Sequence, residues 1–294
     1  MNRKKIFSTG FSAFFQCTKQ RKEKIILKTL SPLIWFGGKG KIAEFIIQQM
    51  TDHKVYVEPF GGAAHVISQK PRVSHEVYND IDGVLVNFML QARDNTEKLI
   101  DAVSSLPYSR SLYEQWKREE LPTDQLEQAV RFFYLNRCGI SKGNVDEVPK
   151  TGWRHSTKSN QNPAKGYLGA ADRIKGFAKR MMGVQIECGD YLEIIKKYDS
   201  EETFFYVDPP YVGNEKYYAG GFNQADHEAL AETLNGIKGK ALVSYYADPL
   251  LDDLYVGWTK STFSATRQVV GDRKSEKAEE LLLMNYEIKQ LSLF

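Results

Sequence analysis

The chain has 294 residues, 42% hydrophobic and 12% aromatic, enough to bury a large core, and no apolar run approaches the roughly 20 residues of a membrane helix. Its three cysteines (Cys17, Cys138, Cys188) contain no C-x-x-C pair and point to a reducing compartment, and its five histidines make no metal-ligand spacing with each other or with the cysteines. The net charge of +3 is uneven: residues 1–30 carry 8 Lys/Arg against 1 acid, residues 131–183 carry 11 against 3, and the rest is acidic; this fits contact with a polyanion, and it fits solvated surface equally.

In chain order, residues 1–30 read as a basic extension. Ser8, Thr9, Gly10 and Ser12 interrupt its apolar part, and no small-residue cleavage site follows, so a secretory signal is disfavoured. "WFGGKGK" (35–41) can form a turn that covers a ligand or an ordinary glycine turn with surface lysines. "KIAEFIIQQM" has apolar residues at helical spacing. "VYVE" reads as a strand ending at Glu58, before "PFGG", and "EVYND" as one ending at Asp80. About a hundred residues without strand–helix alternation follow: helical patterns at 84–106, 111–120 and 124–137, then a polar basic loop too long for a simple connection. Residues 91–182 are therefore read as an inserted, mainly helical lobe. "VQIECGD" and "TFFYVD" read as strands ending at Asp190 and Asp208, "HEALAETLNGI" as a helix, and "KALVSYYAD" and "ELLLMNYEIKQ" as strands. Strands alternating with helices predict a mostly parallel sheet covered on both faces.

Four strand-end acids would line one crevice, because such sheets bind ligands beyond the carboxyl ends of their strands. Each acid could also merely cap the next helix. The glycines of "EPFGGAAHV" allow close approach of backbone to a ligand, but the spacing is neither G-x-G-x-x-G nor a phosphate loop. His65 reads as a helix-start or packing residue. An acid ending the second strand can accept hydrogen bonds from ribose hydroxyls, which together with the first loop suggests an adenosine-containing cofactor.

"DPPY" (208–211) carries the chemistry. Pro209 and Pro210 have fixed φ and no N–H, so the turn is stiff. The Asp208 carboxylate and a nearby carbonyl can accept both hydrogens of one amino group. That favours a pyramidal nitrogen whose lone pair points outward. Tyr211 offers a face for stacking, and a base must leave the duplex to reach such a pocket.

In the order "WFGGK", "EPFGGA", "NDID", "DPPY" and "RKSEKAEELLLMNY", residues 35–286 resemble the Dam-type (D12 class) DNA adenine-N6 methyltransferases, which use S-adenosylmethionine. The resemblance implies an α/β fold: a Rossmann-like class I methyltransferase sheet of seven mostly parallel strands with an antiparallel strand near its end. The catalytic domain would comprise 31–90 and 183–294, and the target-recognition lobe 91–182. It implies cofactor contacts from Trp35, Lys39, Glu58, Phe60, Gly61, Gly62, Asp80, Asp190 and Asp208, and a target-adenine site of Asp208, Pro209, Pro210 and Tyr211. The chain departs from the usual F-x-G-x-G run in having Ala64 beyond Gly62, and its loop does not match the one that reads GATC. Expected DNA contacts are Arg137, Lys142, Asn144, Arg154, Lys158 and Asn160, some to phosphates and some to base edges. No metal is required, because the sulfonium methyl is already activated.

The expected partner is double-stranded DNA, with a cognate restriction endonuclease as a further possibility, and the expected setting is cytoplasmic and nucleoid-associated. Methylation of cytosine N4, methylation of RNA, and non-catalytic nucleic-acid binding on the same fold remain the alternatives at this level.

Overall fold

A computed structural model of the chain describes residues 29–35, 37–140, 152–215, 220–266 and 277–287. Lys142 and Asn144, most of the N-terminal extension and part of the C-terminal motif lie outside them. Seven strands form one sheet: β1 (Val55–Glu58), β2 (His75–Asn79), β3 (Val184–Glu187), β4 (Thr203–Val207), β5 (Lys240–Tyr246), β6 (Thr259–Thr266) and β7 (Lys277–Met284), in the order β3-β2-β1-β4-β5-β7-β6. The first five are parallel, and β7 runs antiparallel to both β5 and β6. The order reverses between β1 and β4, so the crevice of the sheet opens beyond the ends of those two strands.

Strand alternation divides the core into two layers. Tyr56, Tyr78, Phe204, Tyr206, Leu242, Leu282 and Met284 face one way, against α1 (Ala43–Gln49), α2 (Gly83–Asp94), α3 (Thr96–Ser105), α5 (Gln125–Cys138) and α6 (Pro163–Met181). Val57, Val77, Phe205, Val207, Val243 and Leu283 face the other way, against α7 (Tyr191–Tyr198), α8 (Gln224–Asn235) and α9 (Pro249–Leu254). The short α4 (Arg110–Trp116) adds Tyr113 to the first layer. The helices inserted between β2 and β3 thus share one apolar cluster with the sheet.

Local chemistry sets the helix starts. Asp82, Ser109, Asp124, Asn162, Asp190 and Asp248 each accept hydrogen bonds from the first backbone N–H groups of the following helix, and Asn223 with Asp226 forms a capping box. The helical pattern of 84–106 is two helices, because Asn95 leaves helical geometry between α2 and α3. The glycine turn after β1 leads into consecutive turns through residue 69 and not into a regular helix. Helix α6, which begins inside the segment read as loop, starts at an Asn162 cap with Pro163 in its first turn.

Candidate active site

All four strand-end acids line one cavity, together with Trp35, Lys39 and the glycine turn. Glu58 ends β1 on the same face as Tyr56, whose hydroxyl donates to its Oε1 at 2.7 Å. Both groups are buried. Burial pushes the Glu58 carboxyl up to about 8, against the Tyr56 hydroxyl and the Ile67 N–H, which favour the charged form. Asp80 follows β2 and accepts from the Gly62 N–H at 2.8 Å and the Asp82 N–H at 3.0 Å. Burial lifts it to about 6 despite those donors. Asp190 follows β3 and accepts from Leu192 N–H and Glu193 N–H, so it both caps α7 and stands at the cavity wall.

The turn "PFGG" is built for close approach. A Cβ on Gly61 would lie 2.1 Å from the Tyr78 ring, whose hydroxyl donates to Gly62 O at 2.7 Å. Gly62 has φ +48°, and a Cβ there would meet the Trp35 Nε1 at 2.7 Å. Gly38, in the upstream turn, lies against the His65 ring in the same way, so the two glycine turns dock on each other. Asn79 ties the loops after β1 and β3 together by donating to Pro59 O and Gly189 O and accepting from Gly189 N–H. "NDID" contained this residue, but nothing in its spacing marked it as a loop tie.

Asp208 extends β4 into the cavity. Its Oδ1 accepts from the Lys39 Nζ and the Ser244 Oγ, each at 2.8 Å. Among the described residues Oδ2 has no hydrogen-bond partner, and the side chain is 21% exposed. Lys39 also donates to Gly37 O at 2.8 Å and pairs with Glu280 Oε1 at 3.2 Å. Burial alone would lower its pKa, but the Asp208 and Glu280 carboxylates outweigh that and hold it above the ordinary 10.5. Pro210 lines the cavity, whereas Pro209 and Tyr211 are buried outside the lining.

The geometry of Tyr211 differs from an open stacking face. Its hydroxyl donates to Glu280 Oε1 at 2.6 Å, Lys39 Nζ sits 4.8 Å from its ring centroid, and Tyr246 packs edge-on at 4.6 Å. A buried carboxylate of β7 has claimed the phenol.

The apolar wall joins Phe60, an expected cofactor contact, to three residues that sequence reasoning passed over: Ile81, Tyr191 and Phe222. Phe60 lies 4.9 Å from Tyr191 and 5.9 Å from Phe222, ring centre to ring centre, and Ile81 lines the mouth with half its surface exposed. Ile81 and Tyr191 directly follow Asp80 and Asp190. An apolar side chain next to a strand-end acid was the available signal.

Of the residues expected to meet DNA, Lys158 and Asn160 are exposed. Arg154 donates from Nε and Nη2 to Gly139 O at 3.1 and 2.9 Å, and Arg137 donates to Gly166 O at 3.1 Å. Burial, with the charges of Arg173 and Arg154, pulls Arg137 down to about 10.

A seven-stranded sheet of this order, with one antiparallel strand between β5 and β6 and an acid-lined crevice at its switch point, is a Rossmann-like methyltransferase fold. A profile describing D12 class N6 adenine-specific DNA methyltransferases matches residues 35–270, and the chain belongs to that family. It is 26% identical to the type II methyltransferase M.MjaIII of Methanocaldococcus jannaschii, over 86% of this chain and 98% of that protein. It is 24% identical to the type II methyltransferase M1.LlaDCHI of Lactococcus lactis subsp. cremoris, over 90% and 98%. Identity to the modification methylase LlaI of Lactococcus lactis subsp. lactis is 26%, over 69% of this chain and 34% of that protein. The chain is a site-specific DNA adenine-N6 methyltransferase.

Proposed function

We propose that the cavity beyond β1 and β4 binds S-adenosylmethionine beside a target adenine turned out of the duplex, and that Asp208 holds the amine that is methylated. The observation that carries this reading is the Asp208 carboxylate: one oxygen is fixed by Lys39 and Ser244, and the other has no partner among the described residues at the cavity wall.

The residues fit the cofactor on their own chemistry. Glu58 is a buried carboxyl at the cavity with no cation bonded to it among the described residues, suited to the positive methionyl ammonium. Gly61 and Gly62 form a cradle that a Cβ would fill. Asp80 suits ribose hydroxyls, and Asp190 with Tyr191 and Phe222 suits an adenine ring. When bound, the cofactor supplies a methyl carbon on a sulfonium, so the amine's lone pair forms the N–C bond as the C–S bond breaks with its electrons going to sulfur.

The chain's own task is orientation and charge. Asp208 Oδ2 accepts a hydrogen bond from the adenine amino group, aims its lone pair and offsets the positive charge that grows on nitrogen. Once the new bond has formed, one amine proton leaves to water. Turning the base out costs a few kcal/mol, which contacts in the cavity offset.

The segment between β2 and β3 is the proposed recognition lobe, with Lys158 and Asn160 at its surface and Arg137 and Arg154 behind them. The type II names of the two full-length relatives support a modification role beside a cognate endonuclease, inside the cell. Among the described residues no helix is long and apolar enough to cross a membrane.

The test is to incubate the protein with unmethylated mixed-sequence DNA and S-adenosylmethionine and to map modified bases by single-molecule sequencing. The expected product is N6-methyladenine confined to one short sequence. Unmodified DNA alongside measured cofactor binding would overturn the reading.

A further inference from the structure

We infer that Glu280 is a positioning residue for methyl transfer, holding Lys39 and Tyr211 so that the Asp208 corner keeps both its orientation and its net negative charge. The inference rests on the assignment of Asp208 as the carboxylate that grips the amine.

Glu280 lies in β7, where register places it opposite Tyr246 at the end of β5. Because β7 runs antiparallel, a residue early in that strand sits at the carboxyl end of the parallel ones. Alternation puts it on the same face as Leu282 and Met284, and so on the face of Tyr206, Ser244 and Asp208. It is 4% exposed and is not part of the cavity lining, so it touches neither reactant. A carboxylate buried among apolar residues is costly unless paired, and this one is paired twice through Oε1: to the Tyr211 hydroxyl at 2.6 Å and to Lys39 at 3.2 Å.

Lys39 Nζ donates to Gly37 O and to Asp208 Oδ1, each at 2.8 Å, and its charge is paired with Glu280 Oε1 at 3.2 Å. Lys39 is therefore held from three sides, and it reaches Asp208 from a fixed direction. With Ser244 it saturates Oδ1, and the other oxygen is left for a substrate.

Charge follows the same contacts. Two carboxylates and one ammonium leave one negative charge beside the place where the amine becomes positive. Without Glu280, Lys39 and Asp208 would neutralise each other. Glu280 also fixes the last residue of "DPPY", whose ring is pinned between Lys39 and Tyr246.

The test uses the full chain with tritiated-methyl S-adenosylmethionine and unmethylated genomic DNA, with enzyme in excess over sites. Glu280→Gln keeps the shape and the Tyr211 acceptor but removes the charge. The expected result is a single-turnover rate at saturating cofactor that falls about 30-fold or more, while the cofactor Kd from calorimetry stays within about threefold and the melting curve remains cooperative. A rate within about threefold of the parent overturns the inference, and so does a loss that saturating cofactor repairs.

If Glu280→Gln does not fold, Glu280→Asp, which keeps the charge but draws the carboxylate back from Lys39 and Tyr211, carries the positioning test. It must be at least about tenfold slow with cofactor binding kept, and a parental rate overturns the inference. Asp208→Asn runs alongside. If it is inactive while Glu280→Gln is parental, only the role of Glu280 fails. If Asp208→Asn is itself fully active, the reading beneath it fails.

Discussion

Replacing Glu58 by Gln tests whether the cavity floor is an uncompensated acid held ready for a cation. Gln keeps the acceptor for the Tyr56 hydroxyl but cannot ionise. In the folded protein Glu58 titrates at about 8, against 4.5 for an ordinary glutamate. A raised folded pKa means its stabilising contribution is full below about pH 4.5 and is lost as pH climbs through 8. At pH 5 the loss relative to low pH is about 1 kcal/mol, and at pH 8 it is about 4 kcal/mol. Gln has no such term, so the stability of Glu58→Gln relative to the parent should rise by roughly 3 kcal/mol between pH 5 and pH 8. The assay is urea unfolding of both proteins at the two pH values, where all other titrating groups cancel in the difference. A relative change below about 1 kcal/mol would refute the burial argument. Calorimetry completes the test: the more stable variant should lose about tenfold or more in cofactor affinity, the cost of replacing a functional buried charge.

Three further outcomes follow from the same geometry. Gly61→Ala would push a methyl group into the Tyr78 ring, which is held by its bond to Gly62 O, and should cost about 1–3 kcal/mol by thermal or urea unfolding, with weaker cofactor binding. Gly169→Ala, in the middle of α6 with open space around the added carbon, should instead stabilise by about 0.5–1 kcal/mol in the same unfolding assay and leave transfer unchanged. Lys158→Ala should weaken DNA binding about equally on all sequences and reduce the slope of log affinity against log salt by about 1, measured by fluorescence anisotropy at several salt concentrations.

What was legible in the chain was the part encoded locally. Strand-end acids, a glycine turn after the first strand, and a proline-locked corner are short-range patterns, and Glu58, Asp80, Asp190 and Asp208 do converge on one cavity. The antiparallel strand near the sheet's end is also present, as the family resemblance implied. What was not legible depends on pairing over long sequence distances. Lys39 is 169 residues from Asp208, and Glu280 is 69 from Tyr211; no spacing rule connects them. Strand β6 (Thr259–Thr266) was missed because Phe263 and Ala265 are its only apolar residues, too few to show an alternation, and its ladder with β7 defines it. Tyr211 reads as a platform from its neighbours in "DPPY", yet a carboxylate from the far end of the chain determines where its ring goes.

The central claim is that the free oxygen of Asp208 grips the amino group that receives the methyl. It is tested most directly by Asp208→Ala, measuring labelled-methyl transfer to DNA at saturating S-adenosylmethionine beside cofactor binding by calorimetry. The account predicts at least about a 100-fold loss of transfer with cofactor still bound within about tenfold of the parent affinity. Transfer by Asp208→Ala at the parent's rate would contradict it.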